Sequence, residues 1–257
     1  MKNKIVLDQM QRSVELTFPL KRIVSLVPSQ TELLHYFGLE QEVVAITKFC
    51  IHPKNWHAEK QRIGGTKKLN IDQIIALKPD LIIGNKEENT KEDISILEKV
   101  VPVWMSDVNT FDAALDFILD IGLLFGKIEI AKTLNAEITS GFQKLETIGQ
   151  GRSVLYFIWD DPAYVVGKNT FIDAIISKLG FTNVCETERY PALSDLNDVN
   201  PDFIFLSSEP FPFSENHRKK FQELFPSSKV ILVDGEMFSW YGSRMLLAID
   251  YFQSFLK

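Results

Sequence analysis

The chain has 257 residues, 45% of them hydrophobic and 24% charged, an ordinary globular composition that argues against wholesale disorder and leaves room for two modest domains. A formal charge of -6, with no lysine or arginine stripe, argues against a nucleic-acid-binding face, because phosphate needs positive charge opposite it. Cys50 and Cys185 are too far apart for a disulfide framework or a metal knuckle, and no apolar stretch approaches the ~18 residues of a membrane span.

Lys2 and Lys4 open the chain, but Asp8, Gln9, Gln11 and Arg12 interrupt it before an apolar run could serve as an export signal, which points to the cytoplasm. The runs at 5–7 and 14–17 flank a polar turn and predict a small hairpin. Four apolar runs follow, at 23–26, 43–46, 80–83 and 101–104, separated by helical segments. That is the pattern of parallel strands buried on both faces. Helix starts are expected where Ser29 precedes Glu32, Asn89 precedes Glu92 and Asn70 precedes Gln73, each a capping oxygen three residues before an acid or amide. Open α/β sheets bind ligands in loops at the carboxyl ends of their strands, so 28–30, 49–56, 64–68 and 85–89 are candidate cleft walls.

From 110 to about 148 there is no proline, and Ile128, Ala131, Leu134, Ile138, Phe142 and Leu145 recur three or four apart, predicting a helix. Gly122 and Gly126 are read as ending a first helix. The remaining ~20 residues from Lys127 would span ~30 Å and hand the chain to a second lobe, although a helix within one domain has the same periodicity. The pattern restarts at 154–158, 164–166, 203–206 and 230–233, a second α/β lobe. An internal echo supports the division: Pro79-Asp80 and Pro201-Asp202 each end a short helix and lead into a buried strand. The expected layout is a first lobe over 1–108, a helical segment over 109–148 and a second lobe over 149–257, with a cleft between the lobes.

Catalytic and nucleotide signatures are weak. The stretch GGTKK at 64–68 has too few glycines to cradle phosphate. Ser207 and Ser208 lack a nucleophile elbow, and His35, His52, His57 and His217 offer no obvious base partner. Cys50, His52 and His57 match no common zinc spacing, and His35 is expected to be partly buried. What the loops do carry is aromatic: Phe49, Trp56, Trp159, Tyr164, Phe171, Tyr190, Phe211, Phe213, Phe238, Trp240 and Tyr241. An apolar cleft of this kind suits a large ligand with apolar faces and polar edges, while the same rings are equally compatible with lobe cores. Trp159, Phe211 and Trp240 are expected to be partly exposed on a common cleft with Phe49 across it, with Glu87 and Glu209 at the rim.

The stretches RIVSLVPSQTELL at 22–34 and IDQIIALKPDLII at 71–83, the long helix and Gly242-Ser243-Arg244 together resemble class III substrate-binding proteins of ABC importers. That family includes the vitamin B12-binding periplasmic protein and ferric-siderophore and haem receptors. The segments at 64–67, 85–93, 208–213 and 238–244 are similar to a bacterial subgroup described as helical-backbone metal receptors.

The resemblance implies an α/β fold of two Rossmann-like lobes with parallel sheets, joined by one long backbone helix and moving little. It implies a monomeric binding protein rather than an enzyme, located in the periplasm or at the cell surface, without an intrinsic cofactor or protein-ligated metal. Its ligand would be a metal chelate, a corrinoid such as cobalamin first and a ferric siderophore or haem second. Ligand contacts are expected from Phe49, Thr66, Lys86, Glu87, Trp159, Tyr164, Tyr190, Glu209, Phe211, Phe213, Phe238, Trp240, Tyr241 and Arg244. Thr66 stands where the B12-binding relative has an aromatic residue. For an anionic chelate Arg189 would join Arg244, and for haem Tyr190 or Tyr241 would be the axial ligand. Asp72 matches an acid that meets the importer permease in relatives; on the second lobe Asp195 is the nearest acid, offset by Ser194. A cytoplasmic enzyme or chaperone acting on a chelate with the same fold is the alternative of a different class.

Overall fold

Val14 and Leu16 are buried between exposed Ser13, Glu15 and Thr17, a period of two that makes a strand with one inward face. Accordingly β1 (Lys2–Leu7) and β2 (Ser13–Phe18) form an antiparallel hairpin. Buried Asp8 closes its turn by accepting the Arg12 backbone N–H at 2.9 Å and Arg12 Nε at 2.7 Å. These coordinates are a computed structural model that describes residues 2–196 and 199–255.

The chain divides into two compact units. One comprises Met1–Val108, Ala113–Leu134 and Tyr241–Ser243; the other comprises Asn109–Asp112, Asn135–Trp240 and Arg244–Lys257. In the first, the apolar runs become β3 (Ile23–Ser25), α1 (Pro28–Tyr36), β4 (Val43–Ile46), α2 (Lys54–Glu59), β5 (Gln61–Arg62), a small hairpin of β6 (Gly64–Gly65) and β7 (Lys68–Leu69), α3 (Ile71–Ala76), β8 (Leu81–Asn85), α4 (Lys91–Leu97) and β9 (Val103–Ser106). The sheet is parallel in the order β5-β4-β3-β8-β9. The chain leaves β3 towards one edge and returns to its other side, so the order reverses between β3 and β8. Such a reversal splays the flanking loops at the carboxyl ends of the strands.

Two helix starts differ from expectation. Pro28 occupies the first helical turn of α1, where its missing N–H costs nothing, and Val27 rather than Ser29 is the N-cap. At α4 the cap is Thr90, whose hydroxyl accepts the Asp93 N–H, because Asn89 turns back to accept the Asn85 N–H at 2.9 Å. Asn70 caps α3 as the spacing predicts.

The proline-free stretch folds as α5 (Phe111–Leu124) and α6 (Ile128–Gln143). Gly126 makes the turn with φ +66, whereas Gly122 lies inside α5 and does not end it. A Cβ at Gly122 would sit 2.6 Å from the Ala131 Cβ, so this glycine lets the two helices approach. At 16 residues α6 is shorter than expected, about 24 Å at ~1.5 Å per residue, and its residues are divided between the two units.

The second unit contains β10 (Ser153–Trp159), β11 (Tyr164–Val165), α7 (Phe171–Lys178), β12 (Thr182–Asn183), a short 3-10 turn at Leu193–Asp195, β13 (Phe203–Ser207), α8 (Glu215–Leu224), β14 (Lys229–Val233), α9 (Gly235–Ser239) and α10 (Arg244–Ser254). Its sheet runs β11-β10-β13-β14 with β12 also on β10; every pairing is parallel except β10 with β11. Here the order reverses between β10 and β13. The core is rich in rings: Phe205 meets Phe181, Phe238 and Phe255 at centroid distances of 5.4, 5.9 and 5.2 Å.

The sequence echo has a shared mechanical role. Asp80 Oδ2 accepts the backbone N–H groups of Lys21 and Arg22 at 2.8 and 2.9 Å, fixing the start of β3. Asp202 Oδ2 accepts the Ser153 N–H and hydroxyl, both at 2.7 Å, fixing the start of β10. Each aspartate therefore pins the first strand of its sheet against the strand it precedes. Asn197 and Asp198, part of the echo, lie outside the described residues.

Candidate functional site

In the second unit, β10 ends on Trp159, and β13 leads through Ser208, Glu209 and Pro210 to Phe211. These are the strands that flank the order reversal. Trp159 is 41% exposed, and its ring meets half-buried Phe211 edge-on at 5.5 Å. Tyr164 pairs with Trp159 across the β10-β11 ladder and shares its face, also exposed. Half-buried Tyr190 lies on the segment that runs beside β11, where Val165 N–H reaches the Pro191 carbonyl at 3.1 Å. The exposed Arg189 guanidinium stands 5.7 Å from the Tyr190 ring.

Beneath this face lies a support that sequence reasoning missed. His217 touches Phe211 and Phe213 edge-on at 5.2 and 5.6 Å, while Lys220 holds Asp160 at 2.7 and 3.0 Å. The only signal for it was the i, i+3 spacing of Ser214 and His217, with histidine in the place usually taken by Glu or Gln in a capping box.

The expectation of an open aromatic wall fails for the residues that follow β14. Phe238 is fully buried against Tyr156 and Phe252, at 5.2 and 4.8 Å. Trp240, expected to be partly exposed, is buried; its indole N–H donates to Glu209 Oε1 at 2.9 Å, and the Ser239 hydroxyl donates to the same oxygen at 2.7 Å. Glu209 is half-buried, and one oxygen of its carboxylate is engaged by both donors. Burial pushes its carboxyl above the ordinary range, with Glu236 adding to the rise against the Ser239 and Trp240 hydrogen bonds. Arg244 is buried too, paired with Glu236 at 3.0 Å and lying 4.8 Å from the Trp240 ring. Phe213 and Phe171 are likewise interior.

In the first unit, Phe49 follows β4 and is 50% exposed, with the Lys48 ammonium 4.9 Å from its ring. The ring rests over Gly65, where a Cβ would come within 3.0 Å of Phe49 Cε2. Thr66 is buried, and its carbonyl accepts Asn89 Nδ2 at 3.1 Å. Lys86 is exposed and paired with Asp107 at 2.6 Å. Glu87 is half-buried; its N–H donates to Asn85 Oδ1 at 2.8 Å, and its carbonyl accepts from Lys67 Nζ. Trp56 is fully buried, with His35 edge-on to it at 5.2 Å and exposed rather than partly buried.

Where the sheet order reverses in this unit, a polar network occupies the interior. Gln30 Nε2 reaches the Gly84 carbonyl at 3.1 Å, Ser106 Oγ at 2.7 Å and the Tyr241 hydroxyl at 3.0 Å, while Asn85 Nδ2 donates to Ser106 Oγ at 2.9 Å. Tyr241 is buried against Phe117 at 5.2 Å, and burial pushes its phenol up to about 12. Its hydroxyl is buried and engaged by Gln30 and Ser106 rather than presented at a surface. Burial also raises the Cys50 thiol, which sits among Thr31 and Thr47, and no group of three His, Cys, Asp or Glu side chains comes together to hold a metal among the described residues.

Asp72 is exposed in the first turn of α3. Asp195 is exposed as well, and its carboxylate accepts the Ala192 N–H at 3.2 Å. Among the described residues no helix is long and apolar enough to cross a membrane.

Comparison with known proteins places this geometry in context. A family profile described as periplasmic binding protein matches residues 23–229. An uncharacterized ABC transporter substrate-binding lipoprotein of Bacillus subtilis, YvrC, is 23% identical over 95% of this chain and 82% of its own. The solved periplasmic vitamin B12-binding protein BtuF of Vibrio cholerae superposes with a TM-score of 0.78 at 22% identity, covering 93% of this chain and 98% of that one. The petrobactin-binding protein YclQ of Bacillus subtilis superposes with a TM-score of 0.82 at 16% identity, covering 98% of each.

Proposed function

Because the chain belongs to the periplasmic binding protein family, we propose that it is a monomeric substrate-binding protein that captures a metal chelate, a corrinoid such as cobalamin first, and delivers it to an ABC importer. The observation that carries the reading is the exposed face of Trp159, Phe211 and Tyr164 at the order reversal of the second sheet. Exposed aromatic rings, with Lys220 on the neighbouring helix already paired to Asp160, suit the apolar faces of a nearly neutral macrocycle better than a polyanion. Phe49 adds a second exposed ring on the first unit. The role is capture and release rather than catalysis, and the site of action is outside the cytoplasmic membrane, a reading that the periplasmic binding protein family supports.

Titration calorimetry with cobalamin and cobinamide tests this. Binding is expected to be micromolar or tighter, weakly dependent on salt, and accompanied by a negative heat-capacity change. Trp159→Ala is expected to weaken it by about 1–3 kcal/mol with an unchanged melting temperature, as for a truncated aromatic anchor. Exposed Arg189 beside Tyr190 favours a second reading, an anionic ferric siderophore or haem, with Arg244 excluded by its burial on Glu236. Tight, strongly salt-dependent binding of such a chelate without corrinoid binding would establish that reading instead.

A further inference from the structure

We propose that His217 is a proton-sensitive positioning residue for the face made by Trp159 and Phe211. His217 Nδ1 lies 3.0 Å from the Ser214 backbone N and 2.8 Å from Ser214 Oγ. A backbone N–H can only donate, so Nδ1 is the acceptor, and the neutral ring carries its hydrogen on Nε2. That nitrogen points towards Asp160 Oδ2 at 3.8 Å. The ring is therefore drawn two ways: the cap of α8 requires an unprotonated Nδ1, whereas the Asp160 carboxylate favours the imidazolium.

Adding a proton puts a hydrogen on Nδ1. The Ser214 N–H then loses its acceptor, Nδ1–H can be received only by the Ser214 hydroxyl, and the charged Nε2–H gains attraction to Asp160. The charged groups around the ring oppose one another. Asp160, from the turn after β10, favours the cation, while Lys220, already on Asp160, opposes it. On α8 itself Glu215 and Arg218 are paired at 2.8 Å and largely cancel. The net effect of the proton is a tilt of the ring away from the cap and towards Asp160.

Phe211 leans on that ring at 5.2 Å and meets Trp159 at 5.5 Å, so the tilt reaches the exposed face through one intervening side chain. Asp160 is also the residue after Trp159, which gives the movement a second, covalent route. The inference rests on the transport reading only in giving the face a use, and its test needs no ligand.

The test is nitrogen–proton correlation NMR of the full chain from about pH 8 to about pH 5, the range over which imidazoles change charge. At the upper end Nδ1 of His217 should be the unprotonated nitrogen. On acidification the Trp159 indole N–H resonance, assigned with Trp159→Phe, should shift together with the His217 signals. In His217→Gln that shift should be lost, because the amide still reaches the Ser214 N–H but carries no titrating charge. The resonances of His35, on Trp56, should be the same in the variant as in the parent protein and serve as the internal control. A hydrogen on Nδ1 at neutral pH, a stationary Trp159 resonance, or a Trp159 shift that survives in His217→Gln would each overturn the proposal.

Discussion

Trp159 ends strand β10 and Trp240 follows helix α9, and only the first of the two indoles is exposed. Nothing in the local sequence separates them. What does is an acceptor thirty-one positions away: Glu209 takes the Trp240 indole N–H, and an indole with an internal partner can be buried without loss. Long-range pairing of this sort also fixes the half-buried Glu209, whose carboxylate accepts from Ser239 and Trp240. It makes Glu209 a test of the arrangement. Its folded carboxyl holds a proton more tightly than the unfolded chain does, so its contribution is most favourable below the ordinary carboxylate value and is lost as pH rises through the elevated folded value. Glu209→Gln keeps an oxygen for Ser239 and Trp240 and removes the charge. It is expected to raise the melting temperature at pH 8 by differential scanning calorimetry, with the gain shrinking towards pH 4. A gain that grows on acidification would mean that the carboxylate, not its burial, dominates.

At the level of elements the apolar runs were legible, because period two and period 3.6 reflect which face is buried. The positions of the ends were not: the cap of α1 moved to Val27 because Pro28 starts a helix well, and Asn89 was drawn off by the Asn85 N–H. Gly122 shows the limit from the other side. Read alone, a glycine in a helical stretch marks a stop, and its replacement by alanine should stabilise by up to ~1 kcal/mol. In the folded protein the new methyl group would stand 2.6 Å from the Ala131 Cβ, deep in the seam between α5 and α6. Overpacking of a well-filled interior costs ~1–3 kcal/mol, so the steric effect outweighs the helical one. Gly122→Ala is therefore expected to lower the urea midpoint, whereas an increase would show that the helices separate freely.

For the molecule as a whole, the Pro-Asp-strand signature stands once in each of the two units, and the paired roles of Asp80 and Asp202 explain why it recurs. Strand order was beyond reach, since apolar runs carry no record of their neighbours, and with it went the knowledge of which loops flank each reversal. Exposed Asp72 and Asp195 belong to this scale because, by the family resemblance, they would serve a partner rather than the ligand. Replacing both with alanine is expected to leave chelate affinity unchanged and to abolish stimulation of ATP hydrolysis by the cognate importer in reconstituted vesicles; retained stimulation would remove them from that role.

Tyr241–Ser243 belongs to the first unit although both flanking stretches belong to the second, and its hydroxyl joins Gln30 and Ser106. Each unit is consequently woven from three separate stretches of polypeptide. No single cut in the chain releases either one whole: a fragment ending at Leu134 would lack the phenol that Gln30 and Ser106 share.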